Sequence, residues 1–371
     1  MRTSDDVVRQ DLDYICAALK DELGSMEGSR VFISGGAGFL GYYLIQTLLH
    51  WNANAQGKPI AITACDNFIR GVPEWLGKVC ETNKALTVMQ HDITAPLPDD
   101  AGPFNFFIHA ASIASPAYYR KHPIETMDAN VQGLRLLLDR VRKQKEAGQA
   151  LLNGFLFFSS SEVYGDPPPD RIPTPETYWG NVSCTGPRAC YDESKRYGET
   201  LCVNFCRQFD LPIRVARPFN NYGPGLKLTD RRVIPDFVTN LLSGNDLVLL
   251  SDGSPTRTFC YVADAIVGYY KILTRGRSGE AYNVGTESPE VSMLRLAELL
   301  RDIAREELGY NGQVIRGASS DREYLTDNPQ RRCPSIAKAR SELGFEPQIT
   351  VEDGLRRTLL WYNSNRGGVS A

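Results

Sequence analysis

A short apolar run at residues 30–34 feeds directly into Gly35-Gly36-Ala37-Gly38-Phe39-Leu40-Gly41, and apolar residues at helical spacing follow at once, to residue 50. Three glycines at that spacing, between a strand and a helix, leave few folds open. The first permits a tight turn, the second lets backbone approach a pyrophosphate, and the third lets the helix pack closely on the strand. The alternation continues along the chain, with strands expected at 59–65, 86–90, 104–109, 154–159 and 213–216 and helices at 126–145 and 191–209. Near-continuous apolar strands between amphipathic helices imply a parallel sheet covered on both faces. The expected class is α/β: a doubly wound parallel (Rossmann) sheet with a smaller mixed C-terminal domain that binds substrate.

From about residue 220 the alternation gives way to loops around Pro224, Gly225, Gly244 and Gly253, with helices at 234–242, 262–273 and 293–308. The expected organisation is a helical extension at 1–28, a dinucleotide-binding domain at 29–218 to which 254–274 returns, and a substrate domain from 219–253 and 275–371. Within the extension Val8, Leu12, Ile15, Leu19 and Leu23 share one helical face as far as Gly24. That face reads as packed on its own domain or on a neighbouring subunit.

Several classes of function are disfavoured by charge and composition. A net charge of −3 gives no basic field for nucleic acid or anionic lipid, so neither is an expected partner. Residues 31–57 carry no Asp, Glu, Lys or Arg and are long enough to span a bilayer, but they open on the glycine motif and close on Asn52-Ala53-Asn54-Ala55-Gln56-Gly57. No membrane segment is expected. Asp5, Asp6, Asp11 and Asp13 have the wrong charge for a targeting signal, so the expected location is cytoplasmic. Nine cysteines without paired spacing read as reduced, mostly buried thiols, and His50, His91, His109 and His122 are too scattered to assign a metal.

Asp66 ends the second strand about 25 residues past the glycines, where a carboxylate accepts both ribose hydroxyls and repels a 2′-phosphate. NAD is therefore expected rather than NADP. Asp92, in His91-Asp92-Ile93, falls near the adenine amine, and Ala110 opens a small-residue stretch where backbone must approach the cofactor. The candidate cofactor residues are Gly35, Gly38, Phe39, Leu40, Asp66, Asn67, Asp92, Ile93 and Ala110, joined by Tyr191 and Lys195. Arg70 reads equally as a phosphate contact or a solvated side chain.

Tyr191 and Lys195 lie four residues apart on one helix, so an ammonium can sit beneath a phenol. Poising a phenol of pKa about 10 near 7 requires about 3 units, or ~4 kcal/mol. A neighbouring cation supplies ~1–3 units, so a positive nicotinamide ring must contribute. Ser160, just past the fifth strand, completes a trio around a reacting hydroxyl.

Several stretches carry a resemblance: Ser160-Ser161-Glu162-Val163-Tyr164-Gly165-Asp166-Pro167, Tyr178-Trp179-Gly180-Asn181-Val182, Gly186-Pro187-Arg188-Ala189-Cys190-Tyr191-Asp192-Glu193, Arg217-Pro218-Phe219-Asn220 and Thr256-Arg257-Thr258-Phe259. Over nearly everything after residue 29 the chain resembles the extended short-chain dehydrogenase/reductase family, most closely its UDP-glucuronate decarboxylase (UDP-xylose synthase) branch. The resemblance implies Ser160, Tyr191 and Lys195 as the oxidoreductive centre. It implies Ser161, Glu162, Arg257 and Tyr119 around the substrate carboxylate, Asn220, Arg232 and Arg332 on the nucleotide diphosphate, and Tyr261 beside the substrate. It also implies a homodimer packed through helices 126–145 and 191–209. Two stretches depart from the family pattern: the 28-residue leader is extra, and residues 286–327 are longer and less similar.

The implied reaction is oxidation at C4, loss of the C6 carboxylate as CO₂ and re-reduction, with Glu162 either ionised or protonated. The alternatives are a 4-epimerase, a 4,6-dehydratase, or a decarboxylase that releases the 4-keto pentose. Dehydratases carry an acid where this chain has Ser161, and epimerases typically a small residue where it has Glu162. A binding protein that kept the fold without catalysis usually loses part of the Ser/Tyr/Lys trio, which is complete here.

Overall fold

In the computed structural model, which describes residues 4–317, 326 and 329–365, strand β1 (Arg30–Ser34) is buried at four of its five positions. Such burial requires neighbours on both edges and cover on both faces. β1 pairs in parallel with β2 (Ala61–Asp66) on one side and with β4 (Phe106–His109) on the other. β3 (Leu86–Gln90) extends the β2 side. β5 (Gly154–Phe158), β6 (Ile213–Pro218) and the edge strand Ala281–Val284 extend the other. The result is a seven-stranded parallel sheet that changes direction of winding between β1 and β4. Loops leaving those two strands diverge and open a crevice at their C-terminal ends.

Alternate residues feed two cores. Phe32, Phe107, Phe155 and Phe157 meet Leu134, Leu138 and Phe205 on one face. Val31, Ile33, Ile108, Leu156 and Phe158 join the core of the other face, with Ile45 and Ile266. Outside the sheet, short strand pairs build the smaller lobe. Leu247–Leu249 pairs with Val314–Arg316, and Thr256–Arg257 lies between Val291–Ser292 and Arg331–Arg332.

Two expectations need correction. The strand Ala281–Val284 falls in the stretch assigned to the substrate domain, yet it completes the main sheet, with Tyr282 and Val284 fully buried. The continuous helix expected at 126–145 is instead Pro123–Asp128, a π-turn at Ala129–Gly133, and Leu134–Glu146. A Cβ at Gly133 would lie 2.8 Å from Ile93 Cγ2, and Asn130 turns inward to donate to Ser194 Oγ at 2.9 Å. Close packing sets the extra residue in that turn, and helical periodicity does not register it.

The leader packs on its own domain, one of the two placements expected for its apolar face. Helices α1 (Ser4–Ala18) and α2 (Lys20–Ser25) contribute Val8, Leu12, Ile15, Leu19 and Leu23 to the main core. They pack on α3 (Phe39–Asn54) and on the helices Val262–Arg275 and Val351–Ser364. Asp11 is fully buried and accepts from Tyr43 at 2.7 Å, Tyr261 at 2.6 Å and Arg357 at 2.7 Å.

No helix among the described residues is long and apolar enough to cross a membrane. The uncharged stretch at 31–57 is β1, the glycine turn and α3. Part of the segment 286–327, and the first residues of the leader, lie outside the described residues.

Candidate active site

The glycine turn is built by close approach. Gly35 has φ +75°, and a Cβ there would lie 2.7 Å from the Ala111 nitrogen, at the end of β4. At Gly41 a Cβ would lie 2.4 Å from the Gly36 oxygen. α3 starts after Gly38 with no side-chain cap and no acidic residue in its first turn, which leaves the positive end of a 16-residue helix facing the crevice. Asp66 pins this turn, accepting from Ala37 N at 3.0 Å and Phe68 N at 2.9 Å. Burial raises its pKa, against the pull of those two hydrogen bonds.

Beside it, Asp92 accepts from Asn67 Nδ2 at 3.1 Å and from Thr94 N at 2.9 Å. Asn67, Asp92, Ile69 and His91 help line a cleft of about 540 Å³. Phe39 and Leu40 are half-buried in the first turn of α3, Ala110 is half-buried past β4, and Ile93 is buried under Gly133. Ser112 Oγ, just past β4, is buried with no hydrogen-bond partner. A glycine cradle, an uncapped helix start, a ribose-height carboxylate and an orphaned hydroxyl fit NAD.

Across the crevice, the helix Ala189–Phe209 carries Tyr191 and Lys195 toward the end of β5. Lys195 Nζ donates to the Phe158 carbonyl at 2.7 Å and lies 5.7 Å from the Tyr191 ring centre. Burial pushes its pKa down to about 7. Burial pushes the Tyr191 phenol up to about 12, and a hydrogen bond with Ser160 opposes this. The protein's own groups thus keep the phenol neutral, and the activating positive charge must arrive with a ligand. Tyr119 stacks on Tyr191 with ring centres 5.1 Å apart, and its hydroxyl is buried without a partner.

Next to this trio is a buried ionic cluster. Glu162 pairs with Arg332 through one carboxylate oxygen and with Arg188 through the other, the latter at 2.5 Å. Burial opposes the charge on Glu162, but the two guanidiniums outweigh it and hold the carboxyl below its usual range. Glu162 is therefore ionised. Arg332 also reaches Ser161 Oγ and the Gly165 carbonyl, each at 3.3 Å.

The two arginines expected around the substrate differ in what they touch. Arg332, expected on the diphosphate, is the one touching Glu162 and Ser161. Arg257, expected on the carboxylate, donates to the carbonyls of Thr256, Gln330 and Pro329. Burial pushes it down to about 10, with Arg332 and Arg188 adding to the effect. Arg332 sits directly opposite Arg257 in a two-residue parallel pairing, which brings a distant stretch of chain into the site.

Tyr261, expected beside the substrate, is fully buried with its hydroxyl on Asp11, so it is a core residue. Asn220, at φ +43°, donates to the Thr258 carbonyl at 2.9 Å. Arg232 is paired with buried Asp230, which also takes Arg70 Nη1 at 3.1 Å. Arg70 also lies over the Tyr118 ring, 4.6 Å from its centre. Arg188 and Asp230 escaped the reading of the sequence. Arg188 lay within the run 186–193, one turn before Tyr191, and Asp230 stood two residues before Arg232; adjacency to a chosen residue was the available signal.

The chain matches the NAD dependent epimerase/dehydratase family over residues 31–285. It is 34% identical to UDP-glucuronic acid decarboxylase 3 of Arabidopsis thaliana over 330 residues, covering 88% of this chain and 86% of the relative. It is 35% identical to UDP-glucuronic acid decarboxylase 1 of Xenopus tropicalis over 344 residues, covering 92% and 73%. Among solved structures, a dTDP-glucose 4,6-dehydratase from Streptomyces venezuelae with NAD bound aligns with a TM-score of 0.76 at 27% identity, over 91% of this chain and 98% of that one.

Proposed function

The chain belongs to the NAD dependent epimerase/dehydratase family, and from that premise we propose that it converts UDP-glucuronate to UDP-xylose. The observation that carries the reading is the half-buried Glu162 with its two buried arginines, set beside Ser160, Tyr191 and Lys195. An arginine pair around one carboxylate is suited to receive a second.

When bound, NAD supplies the acceptor for the C4 hydrogen and later its donor. Tyr191 takes the proton of the sugar 4-hydroxyl, and Ser160 shares that hydrogen bond. Lys195, held on the Phe158 carbonyl, lies 5.7 Å from the centre of the phenol ring. A ketone at C4 makes the C6 carboxylate a β-keto acid. Its C5–C6 bond breaks as CO₂ leaves, and the electrons delocalise onto the C4 oxygen, where Tyr191 and Ser160 stabilise them. Arg332 holds the carboxylate before it leaves; its planar fork sets the orientation. Glu162, being ionised, does not carry the proton that C5 needs, so solvent supplies it. Tyr191 then returns its proton to the C4 oxygen, and no net redox change results. Arg232 and Asn220 face the nucleotide diphosphate in this reading.

A proton NMR time course in deuterium oxide, with NAD and UDP-glucuronate, tests the whole sequence. The expected product is UDP-xylose carrying one deuterium at C5. An unchanged spectrum removes the proposal, and accumulation of a 4-keto pentose removes the final reduction.

We place a dimer interface on the helices Pro123–Asp128 and Ala189–Phe209, which pack together and expose Ile124 (63%), Met127 (42%) and Tyr197 (52%). Light scattering is expected to give twice the chain mass, and Ile124→Glu with Met127→Glu to halve it; a wild-type monomer rules the interface out. Nine free cysteines support a reducing, cytoplasmic location.

A further inference from the structure

We infer that Arg188 is a positioning residue: it holds Glu162 throughout the cycle, which leaves Arg332 free to pass from Glu162 to the carboxylate of the incoming sugar and back. This rests on the decarboxylase reading above and extends it to a residue that none of its steps uses.

The geometry divides the work. Each oxygen of Glu162 faces a different arginine, so one arginine can leave without stranding the carboxylate. Arg188 is the one borne by a long helix. It stands at the start of the helix that carries Tyr191, is 7% exposed, and has Asp192 one turn further on, 3.9 Å from its Nε. Arg332 comes from the smaller lobe, on a strand of two residues. Apart from Glu162, its contacts here are the two at 3.3 Å to Ser161 and Gly165.

Both guanidiniums are buried, and a buried ion without a partner is strongly unfavourable. The exchange never creates one. While Arg332 is on the sugar's carboxylate, Arg188 keeps Glu162 paired. Once CO₂ has gone, the pentose has no charge to hold Arg332, which returns to Glu162 as product leaves. Without Arg188, one arginine would have to serve two carboxylates.

The exchange predicts selective damage. Calorimetry on the full chain with NAD compares UDP-glucuronate with neutral UDP-xylose. Arg188→Met is expected to weaken binding of the acid at least about tenfold and of UDP-xylose less than about twofold. Titratable groups near Glu162 include Arg188, Arg332, Arg257, Asp192, Tyr119 and Tyr191. A carboxylate with a depressed pKa loses its charge as pH falls through that pKa, and removing a cation raises it. The acid limb of kcat is therefore expected to move up by about one pH unit or more in Arg188→Met. Arg188→Lys, which restores the charge but not the fork, should recover most of that shift and less of the affinity.

Equal loss for both ligands, or none for either, overturns the proposal. If Arg188→Met fails to fold, Asp192→Asn decides: it loosens Arg188 and should weaken the acid more than the neutral sugar, and equal effects overturn the proposal. A wild-type chain that binds UDP-glucuronate but releases no CO₂ removes the functional reading, while the binding comparison still judges Arg188.

Discussion

Tyr191→Phe lowers kcat by about 10²–10⁴-fold and leaves the affinity for UDP-glucuronate within about threefold. The substitution removes one oxygen from a residue that is 6% exposed and stacked on Tyr119, so packing survives. What is lost is the group that takes the C4 proton and returns it. Ser160 remains within reach of the same oxygen, but an alcohol is too weak a base at neutral pH to replace a phenolate. Lys195→Met should fall in the same range for a different reason. It removes the amine 5.7 Å from the centre of a phenol that burial already pushes up to about 12. Single-turnover kinetics with binding measured separately decides. A Tyr191→Phe chain that keeps more than a tenth of wild-type turnover would exclude Tyr191 as the acid–base group.

The features legible in the sequence share one property: short spacing. The glycine turn and the Tyr191/Lys195 pair lie within one turn or one helix, and Asp66 follows at the end of the next strand. Local geometry carries their meaning. The ionic cluster is different, because Glu162 and Arg332 are 170 residues apart and meet only through the pairing of Arg331–Arg332 with Thr256–Arg257. A two-residue strand has no periodicity to read, so the two arginines are placed by resemblance alone, and the pairing of Arg332 with Glu162 is not among what it implies. Tyr261 fails in the same way, since the partner that makes it a core residue, Asp11, lies 250 residues away in the leader. The π-turn at Ala129–Gly133 is invisible for a third reason: it spans five residues, too few for a change of period to show in the apolar pattern.

Deleting residues 1–27 is expected to leave a chain that does not fold, although the leader looks dispensable by family pattern. Val7, Val8, Leu12, Ile15, Leu19, Leu23 and Met26 are all under 9% exposed. At about 1.5–3 kcal/mol for each buried side chain, and treating that range as an upper bound, their removal amounts to about 10–20 kcal/mol. A domain of this kind has about 5–15 kcal/mol in total. The polar contacts act in the same direction, since without Asp11 the hydroxyls of Tyr43 and Tyr261 and the guanidinium of Arg357 lose an acceptor inside the core. Asp11→Ala isolates that part and should cost about 3–5 kcal/mol. Thermal melting of the two variants separates the contributions. A truncated chain that melts within about 5 °C of wild type would show that the leader's apolar face adds nothing to the core. The location of the loss matters for activity. Tyr43 lies on α3, whose first turn faces the cofactor crevice, and Arg357 lies on the helix Val351–Ser364, so the leader joins the NAD-binding sheet to the end of the chain. A partly stable truncation should therefore lose NAD affinity before it loses its secondary structure.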